Sequence, residues 1–387
     1  MYDYLIIGAG VIGLAIAREL KLKNPNAKIL IIEKESDVGF HSSGRNSGVL
    51  HAGFYYSSSS LKAKFTRDGN RELTKYCLDN NLAINQCQKV VVAKNREELK
   101  TLHELHKRGI QNGVEVELIE EDRLDSLFKN VKTYKQALLS PTTATVDPKE
   151  ILIHLKEELV DLGVEIKFNT PYIQKHKNMA KMLINCAGLY ADKIAKEFGF
   201  SRDYKILPFK GIYLKYNKSD KFIDTNIYPV PNLKNPFLGV HYTITVDNQI
   251  KIGPTAIPAF WRENYKGLAN FKLSELVDIL ASEAELFIKN SFGFRDLALE
   301  EMKKYNKRYF VSLAESMVKQ LDSSGFNSWS KPGIRAQLLN TKTNELLQDF
   351  VVEGDSKSVH ILNAVSPAFT SSFPFARWVV DTYILKN

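Results

Sequence analysis

The chain opens with a pattern of apolar runs, glycines and one acid that few folds can accommodate. Tyr4 to Ile7 is apolar, GAGVIG follows at residues 8–13, and helical periodicity continues from Leu14 to Leu22. A second, mostly apolar run from Lys28 to Ile32 ends at Glu33. A strand, a glycine-rich turn, a helix, a second strand and an acid in this order are typical of a dinucleotide-binding βαβ unit.

The residues of this unit have separate roles. The first glycine makes the tight turn, the second lets the backbone reach a pyrophosphate, and the third lets the helix pack against the strand. The helix N-terminus offers amide donors and the positive end of a dipole to phosphates. The acid accepts hydrogen bonds from a ribose diol. The predicted nucleotide contacts here are therefore Gly8, Gly10, Val11, Ile12, Gly13 and Glu33.

The segment after Glu33 distinguishes between two kinds of dinucleotide. It reads KESDVGFHSSGRNSG over residues 34–48, and no third strand of a nicotinamide-binding domain follows. A small, hydroxyl-rich and glycine-rich segment suits a chain that lies along an extended cofactor, which favours FAD. The predicted cofactor contacts in it are Lys34, Ser42, Ser43, Asn46, Ser47 and Gly48.

Nucleotide-binding signals recur in the middle and near the end of the chain. Lys181 to Cys186 reads as a strand that runs into a second glycine turn, and Ser358 to Asn363 runs into VSPAFTSS and a final helix. The N-terminus of that helix is expected to stabilise negative charge on the flavin pyrimidine. The predicted contacts in these two segments are Ala187, Gly188, Pro367, Ala368, Phe369 and Thr370.

Between the nucleotide-binding signals in the middle and near the end of the chain, residues 206–255 show the alternation that is typical of β-strands. Residues 271–288 have the periodicity of a helix. We therefore predict an α/β (α+β, two-domain) fold: a Rossmann-like FAD-binding domain that is discontinuous in sequence, with an inserted mixed β-sheet substrate domain. The apolar positions of the helix are Leu273, Leu276, Val277, Leu280 and Leu286. The FAD-binding domain is assigned residues 1–87, 141–205 and 325–387, and the substrate-binding domain residues 88–140 and 206–324.

Composition limits the partners. The net charge of +9 suits an anionic cofactor, an anionic substrate or a membrane surface, and no RNA-binding motif accompanies it, so we expect no nucleic acid. The three cysteines have no metal-ligand spacing, which predicts no metal and no disulfide framework. No run is apolar enough to cross a bilayer and no leader is evident, so we expect a cytoplasmic protein.

Several longer runs resemble a known family. They are HSSGRNSGVLHAGFYY, SLKAKF, PFKGIYLK, PFLGVHYT, KIGPTAIPAFWREN and KPGIRAQL. Together they resemble the D-amino-acid-oxidase-type FAD superfamily and, within it, the L-2-hydroxyglutarate oxidases and dehydrogenases. The resemblance extends over nearly the whole chain. It implies FAD-dependent oxidation of L-2-hydroxyglutarate to 2-oxoglutarate, with electrons passed to a quinone or another acceptor.

Oxidation of a 2-hydroxy acid needs a hydride acceptor, which is flavin N5, and a base for the hydroxyl proton. Histidine is the natural base near neutral pH, and His51 and His241 lie in the matching runs. For His51 three roles remain open: base or substrate-orienting group, hydrogen bond to the flavin edge, and covalent link to FAD, although we expect non-covalent FAD. For His241 a substrate role and a solvent-facing position on a strand remain open.

A dicarboxylic 2-hydroxy acid also needs at least two basic groups and hydroxyl donors near its carboxylates. A planar guanidinium suits a carboxylate, and a lysine in the same runs either binds substrate or neutralises the reduced flavin. Of the two tyrosines at 55 and 56, strand spacing points one to the site and the other to the core. The predicted substrate-binding residues are Arg45, Tyr55, Lys62, Lys210 and Arg335.

Residues 300–319 combine Lys303, Lys304, Lys307 and Arg308 with Tyr305, Tyr309 and Phe310. Such a patch suits peripheral contact with the inner face of the cytoplasmic membrane, where the protein could collect a quinone. An ordinary helix with a charged face has the same composition, so both interpretations remain open.

The alternative function is an amine or amino-acid oxidase acting on glycine, sarcosine or a D-amino acid. That chemistry needs one carboxylate clamp and an apolar pocket rather than two clamps.

Overall fold

The computed structural model describes residues 1–231 and 239–385. Part of the PFLGVHYT run, residues 236–238, lies outside the described residues. In chain order the strands are β1 (Tyr2–Ile7), β2 (Ile29–Ile32), β3 (Val49–Leu50), β4 (Ile84–Asn85), β5 (Lys89–Val92), β6 (Glu117–Glu120), β7 (Gln136–Ser140), β8 (Ala144–Val146), β9 (Glu165–Lys167), β10 (Ala180–Asn185), β11 (Tyr204–Gly211), β12 (Leu214–Tyr216), β13 (Asn226–Pro229), β14 (His241–Ile244), β15 (Ile250–Gly253), β16 (Ile257–Pro258), β17 (Phe326–Trp329), β18 (Gly333–Asn340), β19 (Glu345–Leu346), β20 (Val352–Gly354) and β21 (Ser358–Ile361).

The helices begin where the sequence supplies caps and apolar periodicity. Asn95 accepts hydrogen bonds from the backbone N–H groups of Glu97 and Glu98, and Asp147 caps the helix that starts at Pro148. The helices are α1 (Val11–Lys23), α2 (Leu61–Asp79), α3 (Arg96–Gln111), α4 (Glu121–Leu127), α5 (Pro148–Asp161), α6 (Ala191–Glu197), α7 (Leu273–Lys289), α8 (Phe294–Lys303), α9 (Lys307–Glu315) and α10 (Ser372–Val379).

The six-stranded sheet collects strands from distant parts of the chain. Its order is β20-β21-β10-β1-β2-β9, with β21, β10, β1, β2 and β9 parallel and β20 antiparallel at the edge. Helices α1, α5 and α10 pack together on it around a shared apolar core. Because parallel strands end at the same edge of a sheet, the turns after β1, β10 and β21 meet there. The predicted α/β, Rossmann-like FAD fold is confirmed.

An eight-stranded mixed sheet lies beside it, in the order β17-β12-β15-β14-β13-β5-β7-β6. Alternation gives this sheet two different faces. One face is apolar and includes Val90, Ile227 and Tyr242. The opposite positions carry polar groups, and the pairing of Ile227 with Tyr242 places Tyr228 beside His241.

A four-stranded sheet, β16-β11-β18-β19, joins these two parts of the molecule. Strand β18 carries the KPGIRAQL run and pairs along its whole length with β11, which carries PFKGIY, so that Phe209 lies opposite Arg335. Strands β17 and β18 therefore hydrogen-bond to strands of residues 206–324, although the sequence assigned them to 325–387. The exact domain boundaries stay a prediction.

The orientation of α7 differs from the one that its sequence predicts. Leu273, Val277 and Leu280 are exposed, whereas Glu275 and Glu283 are buried. Glu275 faces inward because it accepts hydrogen bonds from the backbone N–H of Arg262, at 3.1 Å, and from a lysine ammonium. Helical periodicity predicted the helix, but three of its five predicted apolar positions face outward, so the apolar stripe is not the buried face.

Within the described ranges, no helix has both the length and the apolar character that crossing a bilayer requires.

Candidate active site

A deep cleft lies where the carboxyl ends of the six-stranded sheet face the polar side of the eight-stranded sheet. It encloses about 1620 Å³ of empty space, its open mouth included. Sixteen of the residues that the sequence predicted line it: Gly10, Val11, Ile12, Ser42, Ser43, Arg45, Asn46, Ser47, His51, Gly188, His241, Arg335, Pro367, Ala368, Phe369 and Thr370.

The first glycine turn is held by contacts that leave no room for a side chain. A Cβ on Gly8, whose φ is +102°, would lie 2.6 Å from the carbonyl oxygen of Cys186, and a Cβ on Gly13 would lie 2.0 Å from the carbonyl oxygen of Gly8. These two glycines pack the turn against β10 and against α1, while Gly10 lines the cleft. The role of Gly10 at a pyrophosphate stays a prediction.

The start of α1 is also tied to the segment that follows β2. The N–H of Val11 donates to Ser43 Oγ at 3.0 Å, and the carboxylate of Glu33 accepts from the N–H of Ala9 at 2.9 Å. The N-terminus of α1 and the hydroxyls of residues 42–47 therefore form one continuous lining, and the acid at the end of β2 holds the turn behind it. These groups fit the phosphates and ribose of FAD.

The closing loop reaches the same cleft from the other end of the chain. Thr370 Oγ1 accepts from the N–H of His51 at 3.2 Å and lies 3.3 Å from the carbonyl oxygen of Val49, to which it donates. A Cβ on Gly69 of α2 would lie 2.1 Å from the carbonyl oxygen of Thr370, so α2 packs directly on this loop. The first turn, the glycine turn after β10 and the N-terminus of α10 thus converge, and His51 lies among them.

His51 is a buried, neutral imidazole. Only 8% of its surface is exposed, and its Nδ1 has no hydrogen-bond partner among the residues that the structure describes. Burial lowers the pKa of His51 well below its usual value of 6.5, and the charges of Lys89, His241 and Arg335 lower it further. A buried nitrogen that lines a cofactor-sized cleft without a partner is available to a bound molecule.

His241 is held more rigidly than His51. Its ring stacks on that of Tyr228, with centroids 3.7 Å apart and planes 17° apart, and its Nδ1 lies 2.8 Å from the carbonyl oxygen of Gly239. A carbonyl accepts only, so Nδ1 carries the proton and Nε2 is the acceptor. Burial lowers the pKa of His241 to about 3, against the opposing effect of the carbonyl. The solvent-facing alternative is wrong, because the side chain is buried.

The lining is cationic. Two arginines and two histidines lie among its described residues, and no aspartate or glutamate does. Arg335 is enclosed, and burial lowers its pKa. Lys62 is buried next to the Tyr56 ring, and burial, with the charge of Arg335, lowers its pKa to about 7. Such a site favours anions.

Some predicted residues have other contacts. Lys210 donates to Asn264 Oδ1 at 3.0 Å, and Lys34 lies 2.6 Å from both Glu35 and Glu263. Arg45 lines the cleft, but its guanidinium donates to the carbonyl oxygens of Phe40 and Pro332. The described lining does not include Gly8, Gly13, Glu33, Lys34, Gly48, Tyr55, Lys62, Ala187 or Lys210.

Sequence reasoning missed several lining residues, among them Tyr213, Tyr228 and Gly333. Tyr213 lies in the PFKGIYLK run, and a Cβ on Gly333, in KPGIRAQL, would lie 2.5 Å from the carbonyl oxygen of Arg45. Both runs resemble the family, but only Lys210 and Arg335 in them were predicted to be site residues. Tyr228 lies in none of the runs that resemble the family, and strand pairing alone brings it to the cleft.

Known proteins resemble this chain throughout its length. Residues 3–382 match the family described as FAD dependent oxidoreductase (DAO). The chain is 36% identical to L-2-hydroxyglutarate dehydrogenase of Indibacter alkaliphilus, over 98% of each chain, and 33% identical to that of Escherichia coli strain K12, over 98% of this chain and 93% of the relative. The human mitochondrial enzyme is 31% identical, over 98% and 88% respectively.

Solved structures share the fold. L-alpha-glycerophosphate oxidase of Mycoplasma pneumoniae, solved with FAD bound, superposes with a TM-score of 0.74 at 20% identity, covering 98% of this chain and 94% of that one. Glycine oxidase of Geobacillus kaustophilus superposes with a TM-score of 0.69 at 16% identity, covering 98% and 94%. The chain therefore belongs to the DAO family of FAD-dependent oxidoreductases and, within that family, is related to the L-2-hydroxyglutarate dehydrogenases.

Proposed function

We propose that this protein oxidises L-2-hydroxyglutarate to 2-oxoglutarate in the cleft. The substrate Cα–H leaves as hydride, the hydroxyl proton goes to a base, and the C–O bond becomes a carbonyl. FAD, held non-covalently, supplies the hydride acceptor when bound. The observation that carries the proposal is a cationic cleft whose described lining contains a buried, neutral histidine and no carboxylate.

His51 is the base in this proposal. A histidine with a pKa well below 6.5 is unprotonated at neutral pH, so it is ready to accept a proton. Its unpartnered Nδ1 supports that role, and the backbone hydrogen bond to Thr370 holds the residue in place. His241, with Nε2 as its acceptor nitrogen, orients the substrate hydroxyl beside it.

Two cationic groups serve the two carboxylates. Arg335, on β18, offers a planar fork to one carboxylate. Lys62, at the start of α2, stands behind the described lining, within electrostatic reach of Arg335 and beside Tyr56, and we assign it to the other carboxylate. An amino-acid oxidase needs only one such clamp, so the pair favours a dicarboxylate over glycine or sarcosine.

We further propose that electrons pass to a membrane quinone while the protein rests on the inner face of the cytoplasmic membrane. The residues first assigned to this contact do not form one surface: Lys304 is buried and paired with Glu301, and Phe310 is fully buried. The exposed face of α7 is a better candidate. Leu273, Val277 and Ile288 are exposed by 65%, 61% and 74%, and the net charge of +9 favours an anionic surface.

Anaerobic reduction of the purified yellow protein tests the function. L-2-Hydroxyglutarate is expected to bleach the flavin absorbance within seconds, and D-2-hydroxyglutarate, L-lactate, glycine and sarcosine are expected to do so at least about 100-fold more slowly, because one substrate clamp is then unused or misplaced. Bleaching by glycine or sarcosine alone would overturn the proposal. Acid precipitation should leave FAD in the supernatant, since no covalent link is proposed.

Arg335→Gln removes one carboxylate clamp. We expect KM for L-2-hydroxyglutarate to rise about 10- to 100-fold, the worth of a charged hydrogen bond, with flavin absorbance retained. Arg123→Gln is the control because it removes the same charge from an exposed surface pair with Glu117. Equal kinetics for the two variants would remove Arg335 from the substrate site.

His51→Gln keeps a polar group of similar size but removes the base. Its kcat is expected to fall about 100- to 10,000-fold while FAD stays bound. In the wild type, the acidic limb of kcat/KM should lie below pH 6.5, because protonation of a histidine with a lowered pKa inactivates it there. A separate fall above about pH 7 is expected where Lys62 loses its charge. An acidic limb centred above pH 6.5, or a variant within threefold of wild type, would contradict the assignment.

Vesicle flotation tests the membrane contact. The protein should float with vesicles that contain anionic phosphatidylglycerol, and Leu273→Glu with Ile288→Glu should reduce the bound fraction at least fivefold, since two charges then face the bilayer. Ile110→Glu is the control, because Ile110 is 59% exposed on α3. All variants should keep wild-type rates with a water-soluble acceptor. Equal flotation of the test and control variants would locate the contact elsewhere.

A further inference from the structure

Lys89 is a buried cation that the proposed chemistry does not use. It is the first residue of β5, and its side chain is 0% exposed. Its Nζ has no hydrogen-bond partner within the described ranges, and it lies 4.8 Å from the Phe54 ring centroid, 4.9 Å from that of Tyr55 and 4.8 Å from that of Tyr228. The ammonium group is therefore enclosed by three aromatic rings.

Such a position is costly. An ammonium group loses its hydration on burial, and the quadrupoles of aromatic rings offset part of that loss. The neighbouring positions on this strand, Val90 to Val92, are aliphatic, so an aliphatic side chain would be accommodated in the sheet without that cost. A lysine in this place therefore indicates a role for its charge.

The cage is joined to both active-site histidines. Tyr228 contacts the Lys89 ammonium and stacks on His241, and the sheet register puts these residues on the polar face of adjoining strands. Phe54 and Tyr55 follow His51 closely in the chain and form the opposite part of the cage. The buried charge thus packs directly on the ring that stacks on His241 and on two rings that follow His51 in the chain.

We propose that Lys89 is a positioning residue whose caged ammonium group adds to burial in keeping His51 and His241 unprotonated and holds the Tyr228 ring against His241. The step from this electrostatic role to catalysis rests on the proposed function of His51 as base. The electrostatic role itself does not depend on the identity of the substrate.

Other charged groups also face these histidines. His51 is affected by His241 and Arg335 in addition to Lys89, and His241 is affected by Lys251 and Lys304. Lys304 is paired with Glu301, and Lys251 donates to the carbonyl oxygen of Ser47 at 3.1 Å, whereas the cage supplies Lys89 with no anion. Among these cations, Lys89 alone lowers the pKa of both histidines.

The titration of Lys89 suits this role. Burial lowers its pKa to about 7, against a small opposing effect of Cys87. The group is therefore charged in the acidic range, which is where the histidines would otherwise be protonated. A positive neighbour disfavours the imidazolium, so loss of Lys89 is expected to raise the pKa of both histidines.

The test is the pH dependence of the holoenzyme. Lys89→Met keeps the apolar contacts of the side chain and removes the charge. The acidic limb of kcat/KM should move to higher pH by about 0.5 to 1 unit. Lys89→Arg keeps a cation in the cage and should leave the limb within about 0.2 unit of wild type. Lys94→Met, an exposed residue two positions beyond β5, controls for net charge.

Histidine titrations by NMR, recorded without substrate, separate this inference from the proposed function. The His51 and His241 signals should titrate at higher pH in Lys89→Met than in Lys94→Met, whatever the substrate is. In the wild type, the ε-carbon signal of Lys89 should titrate near pH 7, a readout that does not require any variant to fold. Unchanged histidine titrations in Lys89→Met, or a Lys89 titration near its ordinary value, would overturn the proposal.

Discussion

The parallel pairing of β1 between β10 and β2, with β21 beyond β10, is the constraint on which the rest of the structure depends. These strands come from the beginning, middle and end of the chain. Their shared direction brings three separate turns to one edge, and parallel pairing is satisfied only when helices cover both faces. The glycines at 8 and 13 make this close approach possible, since a side chain at either would overlap a backbone oxygen. A cofactor cleft at that edge follows directly.

The eight-stranded sheet carries several of the side chains on which the proposed chemistry depends. Its alternation buries an apolar cluster on one side and presents Tyr228, His241 and Lys89 on the other. The charged groups on that side are buried, so an enclosed cation acts on its neighbours without screening by solvent. The low pKa values of the two histidines, the lowered pKa of Lys62 and the caged Lys89 are therefore consequences of one feature, the burial of basic groups, which Asp349 opposes at Lys62.

Local sequence was a reliable guide where chemistry and backbone geometry coincide. The predicted strand Tyr4–Ile7 lies within β1, the predicted strand Lys181–Cys186 is offset from β10 by one residue, and Thr370 lies at the cleft as expected. Residues that act through distant partners were harder to predict. Lys210 turns to Asn264, and α7 buries its glutamates, because the groups that receive these side chains are far away in sequence.

What the sequence by itself determined was the nucleotide-binding turn, the FAD cofactor, the family and sixteen of the residues that line the cleft, since glycine spacing and short runs encode local geometry. Only the tertiary structure decided that Tyr228 supports His241, that Phe54, Tyr55 and Tyr228 enclose Lys89, and that α7 turns Leu273 and Leu280 to the surface. Those arrangements depend on strand register and on burial, and both arise from pairing between separate segments of the chain, which no local pattern encodes.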